Sequence, residues 1–328
     1  MSETMSDTVT RVPPGTVHDI DAHQGWALTR HEPGPARARS VDLLFVHGMA
    51  AGAWIWPEHW IAAFTGAGYC CWTLSLPGRE GGAVRAGGLE ALERVLDHLL
   101  YTGDVDGALE MLVRSMPGAS LFDGPTLDDY SDTLDKALAQ IGRPVAAVCH
   151  SLGGAVAQNL MRRGRAPEAT VLMCSVPPYG TWRAAAEMAV ANPVLWQNLA
   201  QFSLFGVEAA DPAILRANFF PRGISNRDYA MFVNNLRDES LAASAQALGL
   251  PPFAPLPAPR NDILVLGGAL DRLVPMMDVM LTGLYYATLP EIVPDAGHML
   301  MHEDAGHGAI TRILAWLDAR ETPVRSAA

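Results

Sequence analysis

Short apolar runs alternate with segments of helical apolar spacing along most of the chain, and glycines mark several junctions. An apolar run over 41–46 ends at a glycine turn, a helical pattern follows, and residues 69–74 return to a strand-like run. The same β-α-β pattern recurs later, with strands predicted at 145–149 and 169–174 around a helix over 151–163. This alternation predicts a parallel sheet with helices on both faces.

Segments from both ends of the chain contribute strands to the sheet, because two more strands are predicted at 262–266 and 287–293, before a final helix. Two stretches break the alternation. Residues 79–126 carry helical apolar spacing on either side of a Thr-Gly-Asp turn, which predicts two amphipathic helices. Residues 176–260 are bounded by prolines and rich in Met and aromatic residues, which favours a separately packed helical cap.

These patterns predict one α/β core with two insertions. The fold class is α/β, with a mostly parallel central sheet flanked by helices. The predicted segments are a flexible N-terminus over 1–10, a core over 11–78, 127–175 and 261–321, a helical insertion over 79–126, a helical cap over 176–260 and a C-terminal tail over 322–328.

Composition narrows the function classes. The 328 residues are 49% hydrophobic and 18% charged, enough apolar sequence to exclude disorder of the whole chain. A formal charge of −12 offers no electrostatic footprint for nucleic acid or an anionic membrane, so we expect neither a nucleic-acid partner nor stable membrane association. The N-terminus does not resemble a signal peptide, and no apolar run is long enough to span a membrane, so we expect a cytoplasmic protein. The sequence leaves the oligomeric state open.

The sharpest chemical signal is V-A-A-V-C-H-S-L-G-G-A at 145–155, which places Ser151 at the turn between a predicted strand and helix. A serine at such a turn adopts a strained backbone, and the flanking positions must be small. Gly153 meets this demand. Cys149 stands where the G-x-S-x-G pattern has glycine, and its side chain is small enough for the turn to form.

A serine hydroxyl needs a nearby base, and that base needs an orienting acid. Asp271 lies in the loop after the strand at 262–266, where a carboxylate can reach the carboxyl edge of the sheet. His298 follows the last predicted strand, with Gly297 freeing the backbone. The sequence therefore predicts Ser151 as nucleophile, His298 as general base and Asp271 as orienting acid.

The order Ser151, Asp271, His298, each at a strand end, resembles that of α/β-hydrolase-fold serine hydrolases of the lid-bearing esterase, lipase and thioesterase kind. The resemblance covers about residues 40–78 and 127–321. It implies the α/β-hydrolase fold with a cap. Because the nucleophile is serine, the aspartate-dependent dehalogenase and epoxide hydrolase chemistries of that superfamily are disfavoured.

The residues His47-Gly48-Met49 resemble the oxyanion-loop motif of that family. The resemblance implies that the backbone N–H groups of Met49 and Leu152 hold the developing oxyanion, with His47 bracing the loop. Candidate substrate contacts are His47, Gly48, Trp54, Trp182 and Met299.

The leading hypothesis is hydrolysis of a carboxylic ester or lactone of a hydrophobic small molecule, through an acyl-enzyme on Ser151. Thioester hydrolysis or C–C bond hydrolysis by the same triad is the alternative within the enzyme class. A hydrolase-like small-molecule receptor with little turnover is the alternative outside it. We expect no metal and no cofactor, because the chain carries neither H-E-x-x-H nor a G-x-G-x-x-G after a strand.

Overall fold

The computed structural model describes residues 16–18, 25–33, 39–79, 87–115, 124–256 and 262–321. The predicted flexible N-terminus and C-terminal tail lie outside these residues.

An eight-stranded sheet runs through the described residues in the order β1-β2-β4-β3-β5-β6-β7-β8. Strands β1 and β2 are antiparallel to their neighbours, and every pairing from β4 to β8 is parallel. This confirms the predicted fold class. The strands are β1 Thr16–His18, β2 Ala27–His31, β3 Asp42–Val46, β4 Cys71–Ser75, β5 Val145–His150, β6 Ala169–Met173, β7 Asp262–Gly268 and β8 Glu291–Val293.

The central strands are buried along their whole length because helices cover both faces of the sheet. Alternate residues of β3 enter different hydrophobic cores, Leu43 and Phe45 on one face, Leu44 and Val46 on the other. The flanking helices are α1 Glu58–Gly66, α4 Leu127–Ile141, α5 Leu152–Arg162, α11 Met276–Tyr285 and α12 Gly306–Glu321.

Two groups of helices interrupt the α/β order. One pair, α2 Gly87–Thr102 and α3 Val105–Ser115, falls in the stretch predicted as two amphipathic helices. Among the described residues, five α-helices lie between β6 and β7, in the stretch predicted as a cap, and they are called the insert helices below. They are α6 Trp182–Ala191, α7 Pro193–Phe205, α8 Pro212–Phe219, α9 Asn226–Asn235 and α10 Leu241–Ala247.

Local sequence accounts for the starts of the insert helices. Side chains of Asn192, Asp211, Ser225 and Ser240 cap the amides of α7, α8, α9 and α10, and proline follows the cap in α7 and α8. None of the described helices is both long and apolar enough to cross a membrane.

The sequence did not predict β1, β2 or α11. Strand β2 mixes polar and apolar residues because it packs on the sheet through only part of its surface, so it lacks the apolar run that marks the central strands. The predicted strand at 287–293 shortens to Glu291–Val293, since Ala287 adopts a left-handed backbone just after α11.

Candidate active site

Ser151 lies at a strained turn between β5 and α5, with φ 51° and ψ −117°. This left-handed backbone is uncommon for a residue with a side chain, and it turns the serine out of the strand direction. Close packing sustains it. A Cβ on Gly153 would lie 2.6 Å from the His47 carbonyl oxygen, and one on Gly48 would lie 2.8 Å from Ser151 Cβ. Only glycine fits at these two positions.

Three side chains from separate strand ends form a hydrogen-bonded chain. His298 Nε2 lies 3.1 Å from Ser151 Oγ, and His298 Nδ1 lies 2.8 Å from Asp271 Oδ2. Asp271 and His298 are 7% and 4% exposed, so water competes little for these bonds. A carboxylate on Nδ1 leaves the Nε2 lone pair for the serine proton, which is the arrangement that activates a hydroxyl.

Further hydrogen bonds fix the Asp271 carboxylate and the main chain next to His298. The second carboxylate oxygen of Asp271 accepts hydrogen bonds from the Leu273 and Val274 amides at 2.8 and 2.9 Å. Glu303 accepts from the Gly297 amide at 2.6 Å, one residue before His298. The Glu303 side chain therefore turns inward and is buried. Burial raises the pKa of the Glu303 carboxyl to about 6.

His47 fixes the peptide group between Gly48 and Met49. Its Nε2 accepts from the Leu76 amide at 3.0 Å, so the proton sits on Nδ1, which donates to the Gly48 carbonyl at 2.8 Å. Burial lowers the pKa of His47 to about 3 and keeps the ring neutral. The Met49 N–H belongs to this peptide group. Met49 and Leu152 both line the cavity at Ser151.

Cys174 directly follows β6 and lies beside the acid and the base. Its Sγ and ligand atoms of Asp271 and His298 all lie within 4.8 Å of one another. The ends of β6 and β7 are neighbours in the sheet, so either can supply a group to the same histidine. Burial raises the pKa of this thiol well above its usual value, and Asp271 and His298 are already bonded to each other. We assign the cluster no metal.

A cavity of about 350 Å³ opens above Ser151, within the size range of small-molecule sites. Among the described residues that line it there is no Asp, Glu, Lys or Arg; Thr181, Ser203 and Ser244 are its polar side chains besides Ser151, His150 and His298. The insert helices contribute most of the apolar wall, through Ala184, Ala185, Met188, Trp196, Leu199, Ala200, Phe202, Phe219, Phe232 and Ala247.

The structure brings two of the five candidate substrate contacts, Gly48 and Met299, to this cavity and leaves the others out of it. His47 is fully buried behind the loop that it braces. Trp54 packs edge-on against Phe232, with ring centroids 5.8 Å apart. Trp182 lies at the start of α6 on the outward side of that helix, 56% exposed, while Ala184, Ala185 and Met188 face inward.

Sequence reasoning missed His150, which precedes the serine. Its Nε2 lies 2.9 Å from the main-chain carbonyl of His298. The contact spans 148 residues, so no local spacing signals it.

The sheet order, the serine at the turn after β5 and the acid and histidine at later strand ends define an α/β-hydrolase-fold protein. Residues 43–310 match the model of the Alpha/beta hydrolase family, and the chain belongs to that family. No curated protein matches the sequence.

Solved structures share this fold at low identity. A putative lipase from Acinetobacter baumannii is 16% identical, with a TM-score of 0.61 over 94% of this chain and 92% of its own. The N-acyl homoserine lactonase AidH is 14% identical, with a TM-score of 0.62 over 96% of this chain and 100% of its own. An esterase from Exiguobacterium antarcticum is 13% identical, with a TM-score of 0.60 over 89% of this chain and 95% of its own. At such identities the likeness shows the fold alone.

Proposed function

We propose that the protein hydrolyses a carboxylic ester or lactone of a hydrophobic small molecule through an acyl-enzyme on Ser151. The observation that carries the proposal is the hydrogen-bonded chain from Ser151 through His298 to Asp271, at the floor of an apolar cavity. Family membership supports hydrolysis as the reaction class.

In the first half-reaction, Ser151 Oγ attacks the acyl carbon while His298 Nε2 takes the hydroxyl proton. Asp271 stabilises the imidazolium that forms. The N–H groups of Met49 and Leu152 hold the tetrahedral oxyanion, a contribution of several kcal/mol where two donors are preorganised. When the intermediate collapses, the C–O bond to the leaving group breaks and His298 returns the proton to the departing alcohol.

In the second half-reaction, His298 takes a proton from water as its oxygen attacks the acyl carbon of the ester on Ser151. The second tetrahedral intermediate then expels Ser151 Oγ, which receives the proton from His298. The products are a carboxylic acid and an alcohol, or a hydroxy acid when the substrate is a lactone.

The cavity supports an uncharged, largely apolar substrate. A bound carboxylate or phosphate would find no Lys or Arg among the described lining residues to pair with, and burying an unpaired charge is costly. An apolar acyl chain or ring would instead contact alanine, leucine, methionine and phenylalanine side chains of α6 and α7. Neutral aryl esters and lactones with medium apolar groups are therefore the substrates to try first.

The test is labelling with a fluorophosphonate probe, read by intact-protein mass spectrometry, followed by a panel of 4-nitrophenyl esters and aliphatic lactones. The parent protein should take up one probe and turn over the panel, while Ser151→Ala and His298→Ala should lose both. Ser203→Ala is the matched control, because Ser203 lines the same cavity outside the hydrogen-bonded chain. Equal labelling and turnover in Ser151→Ala would reject the proposal, as would a folded parent protein that hydrolyses no member of the panel.

A further inference from the structure

Both main-chain groups of Ala50 are held by one segment, residues 237–239, which lies between α9 and α10. Glu239 Oε2 accepts a hydrogen bond from the Ala50 amide at 2.9 Å. The Ala50 carbonyl accepts from the Arg237 amide, also at 2.9 Å. Ala50 has a left-handed backbone, φ 57°, which costs free energy in a residue with a side chain. The two bonds from this segment hold the loop in that conformation.

Glu239 is itself held by a buried network. Its side chain and that of Arg79 are both fully buried, and Oε1 accepts from Arg79 Nη2 at 2.5 Å. The same oxygen accepts from the Tyr130 hydroxyl at 2.7 Å and from the Ser240 amide at 2.8 Å. Burial raises the pKa of the Glu239 carboxyl, but the Arg79 guanidinium and the hydrogen bonds from Ala50 and Tyr130 together outweigh burial and lower that pKa below its usual value. The carboxylate is therefore ionised and fixed.

The network joins four parts of the chain that are distant in sequence. Ala50 follows β3, Arg79 follows β4, Tyr130 lies in α4, and Glu239 precedes α10. Replacing a buried ion pair with apolar residues is often neutral or stabilising, so overall stability is a weak explanation for such a pair. What it does here is fix the position of a loop. None of Arg79, Tyr130 and Glu239 lines the cavity, whereas Met49 of the loop that the network holds does.

We propose that Glu239 is a positioning residue for oxyanion stabilisation. Glu239 holds the Ala50 N–H, which belongs to the peptide group between Met49 and Ala50. The preceding peptide group carries the Met49 N–H at the cavity wall, and His47 holds its carbonyl, that of Gly48. The inference rests on the proposed function of Met49. Glu239 touches no substrate, so its loss should weaken stabilisation of the transition state and leave substrate binding in place.

The experiment compares the parent protein with Glu239→Gln, which leaves one acceptor oxygen and no charge. The matched control is Glu187→Gln, at an exposed position on α6. Turnover of the best 4-nitrophenyl ester gives kcat and KM. Binding is measured for an alkyl trifluoromethyl ketone, whose adduct with Ser151 carries an oxyanion, and for the amide of the same chain length, which forms no adduct.

In Glu239→Gln we expect kcat to fall about 10- to 100-fold with KM within about threefold, because loss of one whole oxyanion donor costs on the order of 10² to 10³ in kcat. Ketone affinity should fall with kcat, and amide affinity should stay at the parent value. Unchanged kcat, or equal losses of ketone and amide affinity, would overturn the proposal. Glu187→Gln should match the parent in all four quantities.

Backbone amide resonances separate this proposal from the proposed function. If the parent hydrolyses no ester, the proposed function fails, yet the Met49 and Ala50 amide shifts still report on the loop. Both should move in Glu239→Gln and stay in Glu187→Gln, and an unmoved Met49 amide would overturn the positioning role.

Should Glu239→Gln fail to fold, Tyr130→Phe removes one donor to Glu239 and keeps the Arg79 pair. A few-fold loss of kcat at constant KM would then support the role, and the parent kcat would reject it.

Discussion

The imidazole of His150 donates a hydrogen bond from Nε2 to the main-chain carbonyl of His298, at 2.9 Å, so the residue before the serine holds the residue that carries the base. A carbonyl only accepts, which places the His150 proton on Nε2. Burial lowers the pKa of His150 well below its usual value, and the nearby His298 ring adds to this effect. The ring is therefore neutral at physiological pH.

Replacing His150 with Phe should keep the ring volume and remove the donor. The His298 carbonyl is then left unpaired in a buried site, so we expect the free energy of unfolding to fall by about 1–3 kcal/mol. We also expect kcat to fall roughly 10-fold as the base drifts from Ser151. Urea unfolding and ester kinetics measure the two effects. His59→Phe, at an exposed position on α1, is the control, and equal stability of the two variants would contradict the prediction.

Asp271→Asn should lower kcat on the order of 10⁴-fold, because an amide in place of the carboxylate holds His298 in the wrong tautomer. Cys174 lies close enough to the same histidine to offer a second place for the acid. Adding Cys174→Asp to Asp271→Asn should therefore recover part of the lost kcat. Ester kinetics of the single and double variants provide the test. A double variant no faster than Asp271→Asn would show that the end of β6 cannot serve His298.

Gly153→Ala should destabilise the fold by about 1–3 kcal/mol, because the new methyl group meets two backbone carbonyl oxygens that cannot move aside cheaply. Gly66→Ala is the matched control. Its methyl group enters open space at the end of α1, where alanine is favoured over glycine by roughly 0.5–1 kcal/mol. Thermal unfolding of both variants should shift Tm in opposite directions, and a Gly153→Ala protein as stable as the parent would refute this account of the turn.

Acid should destabilise the protein partly through His302, whose ring packs edge-on to Phe220 and Phe232. Burial lowers the pKa of His302 to about 4, against 6.5 in the unfolded chain. Between these values the unfolded state binds a proton that the folded state does not. The contribution of His302 to the free energy of unfolding is therefore fully present above pH 6.5 and is lost as the pH falls towards 4. One such proton contributes up to about 1.4 kcal/mol per pH unit.

His302→Phe should therefore show a shallower loss of unfolding free energy between pH 6.5 and 4 than the parent. Urea unfolding at several pH values measures the slope. His307→Gln changes an exposed histidine on α12 and should keep the parent profile. The same slope in His302→Phe and the parent would exclude His302 as a source of the acid sensitivity.

Local sequence patterns were enough to predict the fold class and to place the serine, acid and histidine at strand ends. Parallel strands bring their carboxyl ends to one edge of the sheet, so residues just after β5, β7 and β8 must lie near one another whatever the loops do. The strain at Ser151 and the need for Gly153 also follow from the strand-turn-helix junction itself. These features depend on contacts within or next to single β-α units.

Tertiary structure decided what depends on how distant segments meet. The outward turn of Trp182, the packing of Trp54 on Phe232 and the inward turn of Glu303 are set by neighbours that no local spacing reveals. The partners Arg79 and Glu239 are 160 residues apart, and only the seating of the segment before α10 on the core brings them together. Periodicity in sequence records which face of an element is buried, whereas the identity of the group across that face is fixed only when the elements pack.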